Sequence, residues 1–246
     1  MTTNTEHSKV ALITGASRGI GSAIRQYLLK EGWRVIGLSR TLPIERIESK
    51  GACSHWIVCD ITQEASLRNS ISEAASHWGR LDALINNAGL HLSARSETLS
   101  LADFDAVMNI NTRALVIACQ AAYNSLSIRG GCIINIGSFF DKLGVKGNLA
   151  YCASKAAVGA ITRCLAVEWA AQKISVVNIA PGYIYTDLNA EALQGKLAHY
   201  LAQRIPSGGP GSALEVASLV GSVLSQPGMF LTGSTIYLDG GQAIAH

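Results

Sequence analysis

Residues 9–21 read KVALITGASRGIG. The first six, KVALIT, form a short and almost wholly apolar run, the composition of a strand covered on both faces. Gly15, Gly19 and Gly21 follow. Glycine allows a tight turn and lets backbone N–H groups close on a ligand; a helix starting here would aim its unpaired N–H groups at an anion. The spacing is G-x-x-x-G-x-G rather than the commoner G-x-G-x-x-G. A glycine turn alone is weak evidence. One that follows a predicted strand and opens a predicted helix, here running to about Gly32, points to the pyrophosphate of a dinucleotide.

Outward from this turn the chain keeps alternating. Apolar strand-like runs recur at 33–40 (WRVIGLSR), 55–61 (HWIVCDI), 81–89 (LDALINNAG), 131–138 (GCIINIGS), 174–182 (ISVVNIAPG) and 234–241 (STIYLDGG). Helical stretches fall between them near 63–77, 100–126, 149–171 and 213–225. Strands apolar on both faces, alternating with helices, imply a parallel sheet covered on both sides. No linker, repeat or low-complexity segment divides the 246 residues, so one domain over 1–246 is expected. The polar, glycine-rich stretch 187–212 follows the sixth strand. In open α/β sheets ligands bind beyond the carboxyl ends of strands, which makes it a candidate substrate lid.

Composition narrows the function classes. Twenty basic against seventeen acidic residues leave a net charge of +3, scattered and without a basic run, which argues against nucleic acid. The six cysteines show no C-x-x-C pair and no metal-ligand spacing, so no metal is expected and the thiols read as small buried hydrophobes. MTTNTEHSK has no hydrophobic leader, and the longest apolar runs are far too short for a membrane span. A soluble, cytoplasmic protein is expected.

The end of the second strand addresses the choice of dinucleotide. NAD sites usually place a carboxylate there, about 20 residues on, to hold the ribose 2′-hydroxyl; this chain has Leu38-Ser39-Arg40. Ser39 and Arg40 could hold a 2′-phosphate, and Arg18 in the glycine turn could close on it from the other side. NADP(H) is therefore expected. Asp60, ending the third strand, is better placed for the adenine edge.

Residues 151–155 read YCASK. In a helix, Tyr151 and Lys155 at i and i+4 share a face. A free phenol titrates near pH 10, and a neighbouring cation favours the phenolate, giving a usable acid or base for carbonyl–hydroxyl interconversion. Ser138 closes the fifth strand, thirteen residues before Tyr151, and could offer its hydroxyl to the same substrate oxygen. Asn111 falls inside the long predicted helix 100–126, where asparagine is a poor local choice. Buried there, it could hold a water touching Lys155.

TGASRGIG, NNAG (86–89), Asn111, Ser138, YCASK and PGYIYT (181–186) together resemble the single-domain short-chain dehydrogenases/reductases, in order and spacing from residue 9 to about 241. The resemblance implies a Rossmann-like, doubly wound sheet of seven parallel strands with helices on both faces, assembled as a homotetramer. It implies that Tyr151 exchanges the proton, Lys155 tunes it and holds the nicotinamide ribose, Ser138 orients the substrate oxygen, and Asn111 completes a water-linked relay. It places Asn87, Ala88 and Gly89 along the adenosine ribose, and Pro181, Gly182, Ile184 and Thr186 around the carboxamide. Ser17 and Ile20 in the glycine turn and Ile61 beside Asp60 complete the cofactor set.

The expected activity is NADP(H)-dependent interconversion of a carbonyl and a secondary alcohol on a small-molecule substrate. His91, Phe139, Phe140, Tyr183, Tyr185 and Leu188 are the expected pocket. Alternatives from other classes are an NAD-dependent alcohol dehydrogenase and a non-enzymatic NADP(H) sensor. Among relatives the chain looks most like the 3-oxoacyl-[acyl-carrier-protein] reductases, which grip their acidic carrier with two basic residues. Arg129 matches the first, whereas the second position is Gln172, with Lys173 beside it. Half of that grip is missing or displaced, which puts specificity for an acyl carrier protein in doubt and leaves a small or CoA-linked ketone as an equal fit.

Overall fold

The computed structural model describes residues 8–42, 53–186, 195–226 and 230–245. The strand-like runs become β1 (Val10–Thr14), β2 (Arg34–Ser39), β3 (Ser54–Val58), β4 (Ala83–Asn86), β5 (Gly131–Ile136), β6 (Ile174–Pro181) and, last in the chain, β9 (Thr235–Leu238). They form one parallel seven-stranded sheet in the order β3-β2-β1-β4-β5-β6-β9. All but β3, which starts one residue early at Ser54, lie inside their expected runs, because sequence patterning continues into the loops while ladder pairing stops.

Helices α1 (Gly19–Lys30) and α7 (Ala213–Ser225) cover one face; α2 (Glu64–His77), α4 (Ala114–Ser127) and α5 (Leu149–Glu168) cover the other. Alternation along each strand explains the two layers. Leu12, Ile36, Leu84 and Ile133 point into the second face, and Ala11, Ile13, Val35 and Ile134 into the first. This is the doubly wound Rossmann-like arrangement.

The expected helix over 100–126 is interrupted. It runs as α3 (Leu101–Met108), a wider π turn over Asn109–Arg113, and then α4. Ser100 starts α3 by accepting the Asp103 N–H at 3.0 Å. Of the candidate lid, residues 187–194 lie outside the described residues. The remainder holds α6 (Lys196–Arg204) and β8 (Gly211–Ser212), which pairs in parallel with β7 (Ile184–Tyr185), just before the lid, and leads into α7. Leu201 and Ile205 of this region are buried against Tyr183 and Leu197, so much of the excursion has its own apolar contacts despite its polar composition. No helix among the described residues is long and apolar enough to cross a membrane.

The strand order reverses between β1 and β4, where the chain has gone outward through β2 and β3 and then returns. A crevice opens at such a switch point, beyond the carboxyl ends of the strands. The glycine turn after β1 and the NNAG loop after β4 flank it.

Candidate active site

The glycine turn and the NNAG loop are bound to one another. Thr14 Oγ accepts the N–H groups of Asn87 and Ala88, both at 3.1 Å. Asn87 Nδ2 donates to the carbonyls of Thr14 at 3.1 Å and Gly15 at 3.0 Å. Gly15 takes φ +67°, and a Cβ there would stand 2.9 Å from Ala88 Cα. At Gly21 a Cβ would be driven to 2.2 Å from the Gly15 carbonyl oxygen. These glycines are required because two backbones meet at van der Waals distance. Asn87 thus acts as a tie between loops, in addition to the ribose contact expected of its position.

α1 begins beyond this turn at Arg18, with no side-chain cap and no acidic residue in its first turn. Its leading N–H groups have no side-chain cap, as in α2 and α5, whereas α3 and α7 are capped by Ser100 and Ser212. The cradle suits a dinucleotide pyrophosphate. Ser17 and Ile20 sit half-buried on it, and Arg18 is exposed. Arg40 is exposed at the end of β2, while Ser39 is buried with its hydroxyl donating to the Thr41 carbonyl at 2.6 Å. No carboxylate ends β2. Asp60 lies across the gap: Thr62 donates to it through N–H at 3.0 Å and through Oγ at 2.8 Å. These bonds, and then the charge of Arg40, hold its carboxyl below the ordinary range. Ile61 beside it packs against the core.

α5 carries Tyr151 and Lys155 under the carboxyl ends of β4 and β5. A buried polar chain pins the helix to the sheet. Asn86 Nδ2 donates to Asn135 Oδ1, and Asn135 Nδ2 donates to Thr162 Oγ, both at 2.9 Å. Lys155 is buried and its Nζ donates to the Ile136 carbonyl at 2.8 Å. Burial without a carboxylate pulls this ammonium down to about 8. The nitrogen stands 5.6 Å from the centre of the Tyr151 ring.

Burial also pushes the Tyr151 phenol up, and the Ser138 hydroxyl draws it back. Ser138 thus favours the phenolate beside the role expected of Lys155. Ser138 is buried at the end of β5 and its Oγ accepts the Phe140 N–H at 3.3 Å, starting a 3₁₀ turn over Phe139–Asp141.

Asn111 lies in the π turn, 2% exposed. Its Oδ1 accepts the Leu90 N–H at 2.7 Å; its Nδ2 donates to the Leu90 carbonyl and to Ser154 Oγ, both at 2.9 Å. A π turn re-aims a side chain that a regular helix would point elsewhere, and such turns recur at functional sites. Gly89 stands in the gap between relay residues: a Cβ there would lie 3.4 Å from Asn111 Oδ1 and 3.8 Å from Lys155 Nζ.

Aromatic rings line the approach to Tyr151. His91 contacts it at 4.6 Å between centroids and Phe140 at 6.0 Å; Tyr183 meets Phe139 at 5.6 Å and Phe140 at 6.2 Å. Phe139 and Phe140 are nearly buried, so much of their surface is wall packing. Tyr185 is 49% exposed. Leu188 lies outside the described residues. Pro181 and Ile184 are buried, Thr186 is half-buried, and Gly182 fits against Asp239, where a Cβ would come within 2.8 Å of its Cα.

Two further polar residues, Ser93 and Asn148, join His91 and had no individual signal in the sequence. Asn148 has a sufficient reason for its place as the residue preceding α5, yet its side chain makes no cap there. Arg129 and Lys173 are both exposed and adjacent, with Gly131 N donating to the Lys173 carbonyl at 3.1 Å. They stand at the amino ends of β5 and β6, the sheet edge opposite Ser138. No cluster of three or more metal-ligating side chains occurs among the described residues.

A glycine-lined cradle at a switch point, with Ser138 after β5 and Tyr151 and Lys155 on α5, defines an oxidoreductase built on the doubly wound fold. The chain belongs to the short chain dehydrogenase family, whose model matches residues 9–197. It is 32% identical over 243 residues to a D-threitol dehydrogenase of Mycolicibacterium smegmatis, covering 96% of this chain and 93% of that one. It is 33% identical over 241 residues to a 3-oxoacyl-[acyl-carrier-protein] reductase of Staphylococcus aureus, covering 95% and 98%. Among solved structures, a gluconate 5-dehydrogenase from Burkholderia cenocepacia in complex with NADP and tartrate superposes with a TM-score of 0.90 at 30% identity, covering 97% of this chain and 96% of that one.

Proposed function

We propose that this protein interconverts a ketone and a secondary alcohol with NADP(H), Tyr151 exchanging the proton at the substrate oxygen. The observation that carries the reading is the convergence of Tyr151, Ser138 and Lys155 beyond the carboxyl end of β5, beside an uncapped, glycine-lined helix start. The cofactor supplies the hydride when bound. Gly15, Gly19, Gly21 and the first turn of α1 would hold its pyrophosphate, and Arg18, Ser39 and Arg40 the 2′-phosphate. Asp60 and Ile61 would face the adenine, Asn87, Ala88 and Gly89 its ribose, and Pro181, Gly182, Ile184 and Thr186 the carboxamide.

Within the chain, Ser138 would donate to the substrate oxygen and hold it against the Tyr151 hydroxyl. In reduction the phenol gives its proton as negative charge grows on that oxygen; in oxidation the phenolate takes it back. The buried ammonium of Lys155 lies where it would meet the ribose and compensate the phenolate. Asn111 fixes the loop carrying Gly89 and Leu90, and so the floor of this space. The NADP complex of the gluconate 5-dehydrogenase supports the cofactor choice by similarity. The homotetramer and the cytoplasmic location implied by the family resemblance belong to the same proposal.

Parallel fluorescence titrations with NADPH and NADH test the reading. Tighter binding of NADPH is expected. A preference for NADH would overturn the 2′-phosphate assignment in favour of an NAD-dependent alcohol dehydrogenase, and binding of neither would overturn the enzyme reading.

A further inference from the structure

The loop after β4 and the loop before α5 form one wall beside Tyr151. Ala94 N donates to the Gly147 carbonyl at 3.0 Å, and Gly147 takes φ +74°, so the two backbones are tied where only glycine sits comfortably. Three polar side chains stand on this wall. Asn148 Nδ2 donates to the Lys146 carbonyl at 2.9 Å. Asn148 Oδ1 meets His91 Nε2 at 2.5 Å and accepts from Ser93 Oγ at 3.3 Å. The His91 ring lies 4.6 Å from that of Tyr151.

The orientation of the Asn148 amide follows from chemistry. The Lys146 carbonyl is an acceptor only, so the group facing it must be the NH₂. The opposite end, facing His91, is then the carbonyl oxygen, also an acceptor only. His91 Nε2 must therefore carry its proton, and in the neutral ring Nδ1 keeps its lone pair. A backbone carbonyl thus sets the tautomer of a histidine beside Tyr151, through one amide. Nδ1 makes no hydrogen bond within the described residues. Phe140 meets the Tyr151 ring with carbon surface, and Tyr183 packs against Phe140.

Building on the proposed carbonyl–alcohol chemistry at Tyr151, we infer that His91 is a hydroxyl-accepting specificity residue, held as its Nε2–H tautomer by Asn148. It selects compact polyols and hydroxyketones that carry a hydroxymethyl group on the reacting carbon. A methyl group in that place leaves the Nδ1 lone pair unanswered, and a carboxylate meets it with a second acceptor. Asn148 is a positioning residue: it touches the histidine, not the substrate.

Three four-carbon probes share a vicinal secondary diol and differ only at the ends: threitol carries terminal hydroxyls, 2,3-butanediol carries methyl groups, and tartrate carries carboxylates. Their equilibrium affinities for the NADP⁺-saturated protein at pH 8, measured by calorimetry, test the inference without requiring turnover. Threitol is expected to bind about tenfold more tightly than either of the others, the worth of one satisfied hydrogen bond. His91→Phe should bring the threitol-to-butanediol ratio close to one while NADP⁺ affinity, measured separately, stays at the wild-type value.

Asn148→Leu should lower the same ratio and also remove the Nε2–H signature of His91 in ¹⁵N spectra of histidine-labelled protein. Equal binding of threitol and butanediol in the wild type, a ratio that survives His91→Phe, a preference for tartrate, or an Nδ1–H ring in the wild type would each overturn the inference. Failure to bind NADP⁺ would instead overturn the dinucleotide reading; the probe series is then run on the protein alone, with the same order expected.

Discussion

Asn111 holds Leu90 by both backbone groups: its Oδ1 takes the Leu90 N–H at 2.7 Å and its Nδ2 gives to the Leu90 carbonyl at 2.9 Å. The side chain thereby completes a loop that has no strand partner at this point, directly after the NNAG turn. Asn111→Ala leaves a part-buried donor and acceptor unpaired. The expected cost is about 1–3 kcal/mol for each group left without a partner, read as a lowered midpoint in urea at unchanged slope. A variant as stable as the wild type would remove Asn111 from this structural role.

Tyr151→Phe keeps the ring contacts with His91 and Phe140 and removes only the hydroxyl. Turnover with any accepted ketone is expected to fall by about 10²–10⁴, the usual contribution of a positioned proton donor. NADPH binding by fluorescence should be retained. Wild-type turnover in this variant would sink the proton-transfer assignment.

Lys155 has a pH signature in stability. Burial lowers its ammonium from 10.5 to about 8, so between those values the unfolded chain binds more protons than the folded one. Stability from this group therefore rises with pH across the window from about 8 to 10.5, and the penalty is fully present below 8. The full span is on the order of 3 kcal/mol. Lys155→Met lacks the penalty but orphans the Ile136 carbonyl. The stability of wild type relative to Lys155→Met is thus expected to grow as pH rises from 8 to 10.5, followed by calorimetry. A constant difference would show that the lysine is not held with a depressed value.

Arg18 and Arg40 frame the proposed 2′-phosphate site as exposed guanidiniums. Replacing both with alanine removes two charge-assisted contacts and is expected to lower the NADPH-over-NADH affinity ratio at least 10-fold. High salt should shrink the wild-type ratio in the same direction, since exposed charges are screened. A ratio unmoved by the double substitution would place the selectivity elsewhere.

Gly21→Ala tests the glycine turn. Its Cβ would stand 2.2 Å from the Gly15 carbonyl oxygen, which is backbone and cannot swing aside. The turn must open, and both cofactor affinity and thermal stability should drop; overpacking of this kind typically costs about 1–3 kcal/mol. Normal cofactor affinity would show that the close approach is not needed for binding.

The sheet and its order of helices were legible because each strand is apolar on both faces and each connection has room for a crossover helix. Tyr151, Lys155 and Ser138 were legible because i, i+4 spacing and the end of a strand fix position locally. The break in the helix around Asn111 was not. The run from 100 to 126 is good helix by composition, and the π turn forms where Asn111 meets Leu90 and Ser154, partners 21 and 43 residues away. The candidate lid likewise read as loose, because the contacts of Leu201 and Ile205 with Tyr183 depend on how the chain returns.

Sequence by itself determined the alternation that forces a covered parallel sheet, the glycines that a phosphate turn requires, and the absence of a carboxylate at the end of β2. These are local matters of backbone freedom, hydropathy period and charge. Tertiary structure alone decided that Asn111 meets Leu90 and Ser154, and that Asn148 and Ser93 join His91 on the wall beside Tyr151. Both depend on which buried donor meets which acceptor across loops distant in sequence. Low dielectric and lost water make those pairings decisive, and only the folded chain brings the partners within reach.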